Sequence, residues 1–533
     1  MAKRIFVLLF ASLAAPLFGE IKLPKIFSDN MVLQREKPVK IWGWASPSAR
    51  VEVEFAGQKV FAKAGEDGKW ATALKPMKAS GESRVLSVKE NGAGAKKVEN
   101  VLVGDVWVLG GQSNMAWPLM PTEGGAEAVA RAAKAKDIRC FRNPLSAIPK
   151  EYGNVPMTHF EKSSTCSTAL AQTPQEDYGE QWQWQTSADP KSVELWSAIG
   201  YYFAEDMREK LGVPVGILHV ALGGSPMIAW VPEKYMGGAK TLEKRFSDFK
   251  KKIESWKNGG YEKACADYAA LMEKFAKTKK RPKGAGWRAF VPPSKISPQP
   301  DSSAAAYNFN AKVAPLDGLS VAGILWYQGE SNAGLRAREF ADELGVVIKA
   351  WRELFGDVPF AQVQLSSYGK NPANWGEARE GQLLGAARNT KVYTAFSIDC
   401  GDEMNIHPAK KKPVADRLAR AVLAGEYGIG GGGAFSPFAK GAKFGEDCAE
   451  VEIQTRGCPI EMRGDPRRFA VYVGGKWQDA KVEVSGSKIL FKSADGSKID
   501  GVRYLWGRHL VSEPCVYNAE SMPLFPFRFL RGK

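Results

Sequence analysis

Between residues 101 and 426 the sequence repeats one pattern: a short apolar run, a break rich in glycine or amides, and an amphipathic stretch of helical length. The runs are VLVGDVWVLGG, DIRCFR, PVGILHVAL, VAGILWYQGE, PFAQVQL and VYTAFSID. The helical stretches are 125–137, 198–211, 338–355, 377–388 and 413–426. Strands that alternate with helices predict a three-layer α/β domain around a mostly parallel sheet.

The flanks differ. Residues 21–100 hold short alternating runs such as VKIWGWA, VEVEFAG and SRVLSVKE, split by Gly, Pro, Asp and Ser, and predict a small β-sandwich. After EYGIGGGGA similar runs return, so 431–533 reads as a second β-rich module. Its closing MPLFPFRFLRG is expected to pack back on another part of the chain. The first residues, MAKRIFVLLFASLAAPLFGE, carry a basic start and a short apolar run, the pattern of a secretory signal peptide over 1–19. The expected division is therefore signal peptide 1–19, β module 20–100, α/β domain 101–430 and β module 431–533. Export to the periplasm or the cell exterior follows as an expectation. No later run is apolar enough for a membrane span.

With 533 residues and 44% hydrophobic content, the chain can bury several cores. Much of its net charge of +16 sits in a lysine-rich insertion near 236–285, which reads either as a solvated helical face or as a surface for anionic polymer or membrane, the first preferred. No nucleic-acid motif accompanies it. The seven cysteines form no CxxC pair, so metal-ligand spacing is absent and no cofactor is expected. Cys448 and Cys458 flank a strand-like run and read either as a disulfide or as free thiols.

A serine hydrolase needs a base, and this chain has only His159, His219, His407 and His509. His219 lies inside ILHVAL and reads as a packed strand residue. His159 sits in an irregular polar stretch, and His509 follows the last β run. His407, in IDCGDEMNIHPAKKK, follows a strand, where α/β domains place chemistry. Three more loops follow strands: GGQSNM with Ser113, LGGSPMIAW with Gly223 and Gly224, and YQGESN with Glu330 and Asn332. Strand ends of a parallel sheet share one edge, and glycines let backbone N–H groups approach a developing oxyanion. Taken alone, Ser113 is either a nucleophile or a helix cap.

The segments FSDNMVLQREKPVKIWGWASP, GDVWVLGGQSNM, ALGGSPMIAW, ILWYQGESN, NIHPAKKKPVADRLA and VYNAESMPLFPFR are similar to those of bacterial sialate O-acetylesterases, within the SGNH hydrolase superfamily. The likeness spans the chain after its first residues; the lysine-rich insertion is less familiar. It implies metal-free cleavage of O-acetyl esters of sialic acid, with Ser113 as nucleophile and His407 as base. Oxyanion donors would be the Ser113 N–H, Gly223 or Gly224, and Asn332. The superfamily's usual Asp-x-x-His block is absent, because Met404 stands three residues before His407. Asp402 and Glu330 remain the candidate acids, with Glu330 preferred because its loop enters the site on this reading.

For the sugar, Gln112, Trp230, Tyr327 and Gln328 are candidate contacts, with Trp117 and Trp326 as further apolar surface. Arg336, Arg352 and Arg379 are candidates for the sialate carboxylate, and Arg352 is carried forward among them. Two rival readings stay open: an acetyl xylan or other carbohydrate esterase, and a secreted glycan-binding protein without catalysis.

Overall fold

The computed structural model describes residues 21–143, 173–278, 303–369, 375–464, 466–506 and 514–532, with four positions between 292 and 298. The signal-peptide stretch, His159, Cys166 and His509 lie outside the described residues.

The N-terminal part supplies β1 (Val32–Gln34), β2 (Val39–Trp44), β3 (Arg50–Phe55), β4 (Gln58–Lys63), β5 (Lys69–Leu74) and β6 (Ser80–Glu90). In β3 the residues Val51, Val53 and Phe55 turn inward and Arg50 and Glu54 outward, as a half-buried strand requires. The next strand, β7 (Ala93–Gly111), is 19 residues long and belongs to both regions. Its first half pairs antiparallel with β6 and its middle pairs parallel with β1. From Val101 onward every residue is buried. The expected boundary near residue 100 thus falls inside a continuous strand.

The α/β part adds β8 (Ile138–Arg142), β9 (Gln183–Thr186), β10 (Val215–His219), β11 (Gly323–Tyr327), β12 (Phe360–Val363) and β13 (Val392–Ala395). Their spatial order is β13-β12-β11-β7-β10-β8-β9. Every neighbouring pair in that row is parallel except β8 and β9, which are antiparallel. With β6 and β7 also antiparallel, the whole sheet is mixed, and the parallel expectation describes its central run only. The intervening helices are Gly125–Ala132, Ala198–Leu211, Ala337–Phe355, Trp375–Ala387 and Lys412–Glu426. The first of these stops earlier than its pattern suggested.

The strand order positions the site. Later strands lie on both sides of β7, so the sheet's topological switch is at β7, where open α/β sheets form their ligand crevice. Its neighbours are β10 and β11. The loops that follow β7, β10 and β11 therefore meet at one sheet edge.

The lysine-rich insertion forms two helices, Lys240–Ser255 and Tyr261–Thr278, separated at Trp256–Gly260, where Gly259 takes a φ of 95°. The first buries Leu242 and Phe249; the second buries no side chain, in line with a solvated face. No helix among the described residues is long and apolar enough to cross a membrane.

Residues beyond Gly432 form the strands β14 (Phe438–Phe444) to β23 (Phe527–Leu530) around their own core of Val451, Phe469, Phe491 and Tyr504. That core also takes in Phe396 and Ile398, which follow β13. The closing segment packs back as expected. Phe525 meets Phe396 with ring centroids 5.9 Å apart, and Arg528 pairs with Glu377 and Glu380 of the helix Trp375–Ala387. Cys448 and Cys458 are both free thiols.

Candidate active site

Ser113 follows directly from the end of β7. Gly111 has a φ of 113°, and a Cβ there would lie 2.3 Å from the Tyr327 carbonyl oxygen of β11. Only glycine fits this turn, which swings the chain out of the sheet into the short helix Ser113–Ala116. The Gln112 N–H donates to Tyr327 O at 2.9 Å, and the Gln112 carbonyl accepts from Met115 and Ala116 N–H. Ser113 begins this turn, so its own N–H has no intrahelical acceptor.

His407 arrives from the other side of the sheet, on the loop after β13. Its Nε2 stands 2.7 Å from Ser113 Oγ across 294 residues of sequence. The imidazole stacks on Trp117, with ring centroids 4.7 Å apart and planes 16° from parallel. Trp117 lies four residues beyond the serine, so one short segment carries both the hydroxyl and the face that steadies its partner. Burial, and next the nearby Lys411 charge, push the imidazole down to about 4. A base works when unprotonated. Ester turnover limited by His407 is therefore expected to persist across neutral pH and to fall only as the pH drops through about 4. A pH–rate profile of kcat/KM checks this.

The loop after β10 lies beside the serine. A Cβ on Gly223 would meet Ser113 Cβ at 3.5 Å. Neither the Ser113 nor the Gly223 N–H donates to an acceptor among the described residues. Gly224 has a φ of 72°, and its carbonyl accepts from Ser303 Oγ. Two unused N–H groups thus flank the hydroxyl, the arrangement an oxyanion calls for.

Other candidates sit elsewhere. Asn332 is 3% exposed and works inside the protein. Its Oδ1 accepts from Met227 N–H at 2.9 Å and Gln328 Nε2 at 2.8 Å, and its Nδ2 donates to Glu343 at 3.0 Å. It joins the loops after β10 and β11 rather than facing a ligand. Gln328 is fully enclosed and also reaches Gln112 Oε1, so it and Gln112 brace the serine loop. Trp230 is buried against Trp326 and Trp351, its Nε1 donating to Ser225 Oγ at 2.9 Å. Tyr327 is a buried strand residue. Gln112, Trp230, Tyr327 and Gln328 are all buried, so none of them offers a sugar-facing surface.

The arginines are likewise committed. Arg336 pairs with Glu339, and Arg352 donates to the Val358 and Thr390 carbonyls at 3.0 and 2.7 Å. Arg379 is 1% exposed and donates to the Leu365 and Ser366 carbonyls. His219 is buried in β10, and burial pushes it down to about 3, so it is neutral packing as its position suggested.

The two candidate acids are engaged apart from the imidazole. Asp402 Oδ1 accepts from the Met404 and Asn405 N–H groups at 2.7 and 2.8 Å, shaping the loop before His407. Met404 itself points outward, 65% exposed. Glu330 Oε1 accepts from Asn114 Nδ2, while its Oε2 is buried without a hydrogen bond. What faces Glu330 is Lys411, a residue the sequence reading passed over as part of a basic run. Lys411 is 1% exposed, and its ammonium donates to Asn114 Oδ1. The signal for it was its place, four residues after His407 and next to the start of an amphipathic helix.

Residues 304–424 match the SASA family, described as carbohydrate esterase, sialic acid-specific acetylesterase. The match takes in β11, Glu330 and His407. A sialate O-acetylesterase of Rattus norvegicus is 26% identical, the alignment covering 92% of this chain and 90% of that protein. The Homo sapiens sialate O-acetylesterase is 24% identical over 75% of this chain and 71% of that one. Among solved structures, a carbohydrate acetylesterase from Xanthomonas citri superposes with a TM-score of 0.75 at 26% identity. It covers 96% of this chain and all of that one. The family match and these relatives make the chain an esterase.

Proposed function

We propose that this esterase removes O-acetyl groups from sialic acids through an acetyl-serine intermediate. The observation that carries the chemistry is the 2.7 Å contact between Ser113 Oγ and His407 Nε2, beside two unused backbone N–H groups. Ser113 Oγ attacks the acetyl carbonyl as His407 Nε2 takes its proton. The Ser113 and Gly223 N–H groups hold the oxyanion. Collapse breaks the bond to the sugar oxygen, which receives the proton from His407, and leaves acetyl-Ser113. Water, deprotonated by His407, adds to that ester, the bond between Ser113 Oγ and the acyl carbon breaks, Oγ takes the proton back from His407, and acetate leaves.

The family description and the relatives' names support the sialate preference. A broader carbohydrate acetylesterase is the second reading, favoured by the description of the Xanthomonas citri protein and by the engagement of Arg336, Arg352 and Arg379 away from the serine. Acetate release from O-acetylated sialic acid and from acetylated xylan, measured at matched ester concentration, separates the two. Faster release from sialic acid supports the first, and dominant release from xylan overturns it. The N-terminal MAKRIFVLLFASLAAPLFGE supports an exported protein acting in the periplasm or outside the cell.

A further inference from the structure

Behind the serine and the histidine lies a buried polar knot that the hydrolytic steps do not use. Asn114, next to Ser113, is 1% exposed, and three segments converge on its side chain. Its Nδ2 donates to Glu330 Oε1 after β11 and to the carbonyl of Ile406, the residue before His407, at 3.0 Å. Its Oδ1 accepts from Lys411 Nζ. The Lys411 ammonium also lies over the Tyr327 ring, 5.6 Å from its centroid. Glu330 Oε2 has no other partner, so the carboxylate and the ammonium face each other across one amide. The carboxylate and the ammonium share the Asn114 amide rather than pairing directly, and each loses hydration on burial, so packing alone does not call for them here.

We propose that Lys411 is a positioning residue for the Ser113–His407 pair. Through Asn114, and balanced by Glu330, its ammonium holds the histidine loop against the serine loop and disfavours a resting imidazolium. The inference rests on the Ser113–His407 reading above. A cation near an imidazole makes a second positive charge costly, so the base stays free to accept the serine proton. Burial pushes Lys411 down to about 7 while Glu330 acts in the opposite sense. Below that value the ammonium is charged, which covers the range where an ordinary histidine picks up its proton.

The surrounding charges are spoken for. Asp399 pairs with Arg417 at 2.6 Å, and Lys412 pairs with Asp416 at 2.8 Å. Glu205 and Asp206, on the helix packed alongside, act on Lys412. Burial pushes the Cys400 thiol up to about 12, so it is neutral. Asp402 faces its own loop amides, and Glu403 and Lys410 are exposed.

The test compares the full-length protein with Lys411→Met, Lys411→Arg and the double variant Lys411→Met/Glu330→Gln, which leaves neither charge of the pair buried. The His407 ring is titrated by NMR on histidine-labelled protein, assigned with His407→Gln. In parallel, the pH profile of a small acetyl ester's hydrolysis is recorded. Lys411→Met is expected to raise the His407 pKa, and the acidic limb with it, by about one unit. Lys411→Arg is expected to stay near the unmodified protein, and the double variant to lie above it. If Lys411→Met does not fold, the double variant decides. A folded Lys411→Met or Lys411→Met/Glu330→Gln variant whose His407 pKa and acidic limb are unchanged overturns the proposal. Equal ester turnover in Ser113→Ala would instead overturn the Ser113–His407 reading, and the ring titration would still decide the role of Lys411.

Discussion

Ser113→Ala is expected to cut acetyl-ester turnover by a factor on the order of 10⁶, and His407→Ala by a similar factor. On the proposed mechanism the two groups act as one unit. A hydroxyl is a weak nucleophile until its proton has somewhere to go, and in that mechanism the imidazole 2.7 Å away receives it. Removing both should cost no more than removing either, because the second loss removes nothing that still works. A residual rate is expected in all three variants, since the Ser113 and Gly223 N–H groups remain to bind an oxyanion. Steady-state kinetics with a small acetyl ester measures this. Losses in the single variants that multiply in the double variant would refute a shared proton-transfer unit. A His407→Ala rate within about tenfold of the unmodified protein would assign the base elsewhere.

Gly111→Ala is the second large effect, and it concerns stability. The substitution meets two obstacles at once. Alanine rarely adopts a φ of 113°, and its Cβ would lie 2.3 Å from Tyr327 O, a strand carbonyl already accepting from Gln112 N–H. Neither obstacle yields easily, because β11 is buried along its length. Backbone strain of about 1–3 kcal/mol and an overpacking cost of similar size predict a loss of roughly 2–6 kcal/mol. Thermal unfolding with Gly81→Ala as control measures it. A Cβ at Gly81 meets nothing within 4 Å, and that variant should be near neutral. If Gly111→Ala unfolds at the same temperature as the control, the turn is not the constraint described here.

The clearest local patterns survived folding almost residue for residue. AIGYYFAEDMREKL predicts a helix over 198–211, and the helix runs Ala198–Leu211; the stretches near 338–355 and 413–426 shift by one residue at their starts. Apolar periodicity and strand-end glycines are properties of adjacent residues, so they can be read in order along the chain. The same holds for Ser113 and His407. A chain with four histidines offers few bases, and one of them stands in a loop after a strand.

What the sequence left open depends on residues far apart. The boundary near residue 100 vanished because β7 satisfies its backbone hydrogen bonds against β1 and β6 at one end and β10 and β11 at the other. Trp230, Tyr327 and Gln328 look like site residues by proximity in sequence, yet the closing of neighbouring strands buries them. Glu330 looked like a partner for His407, and tertiary packing set it against Asn114 and Lys411. Composition, periodicity and turn chemistry pointed by themselves to the strands, the helices and His407, while the resemblance singled out Ser113 as nucleophile rather than helix cap. The order of the strands, the sheltering of side chains and the linking of buried polar groups came only with the tertiary structure, because they are set by segments far apart, such as Asn114 and Lys411, 297 residues from one another.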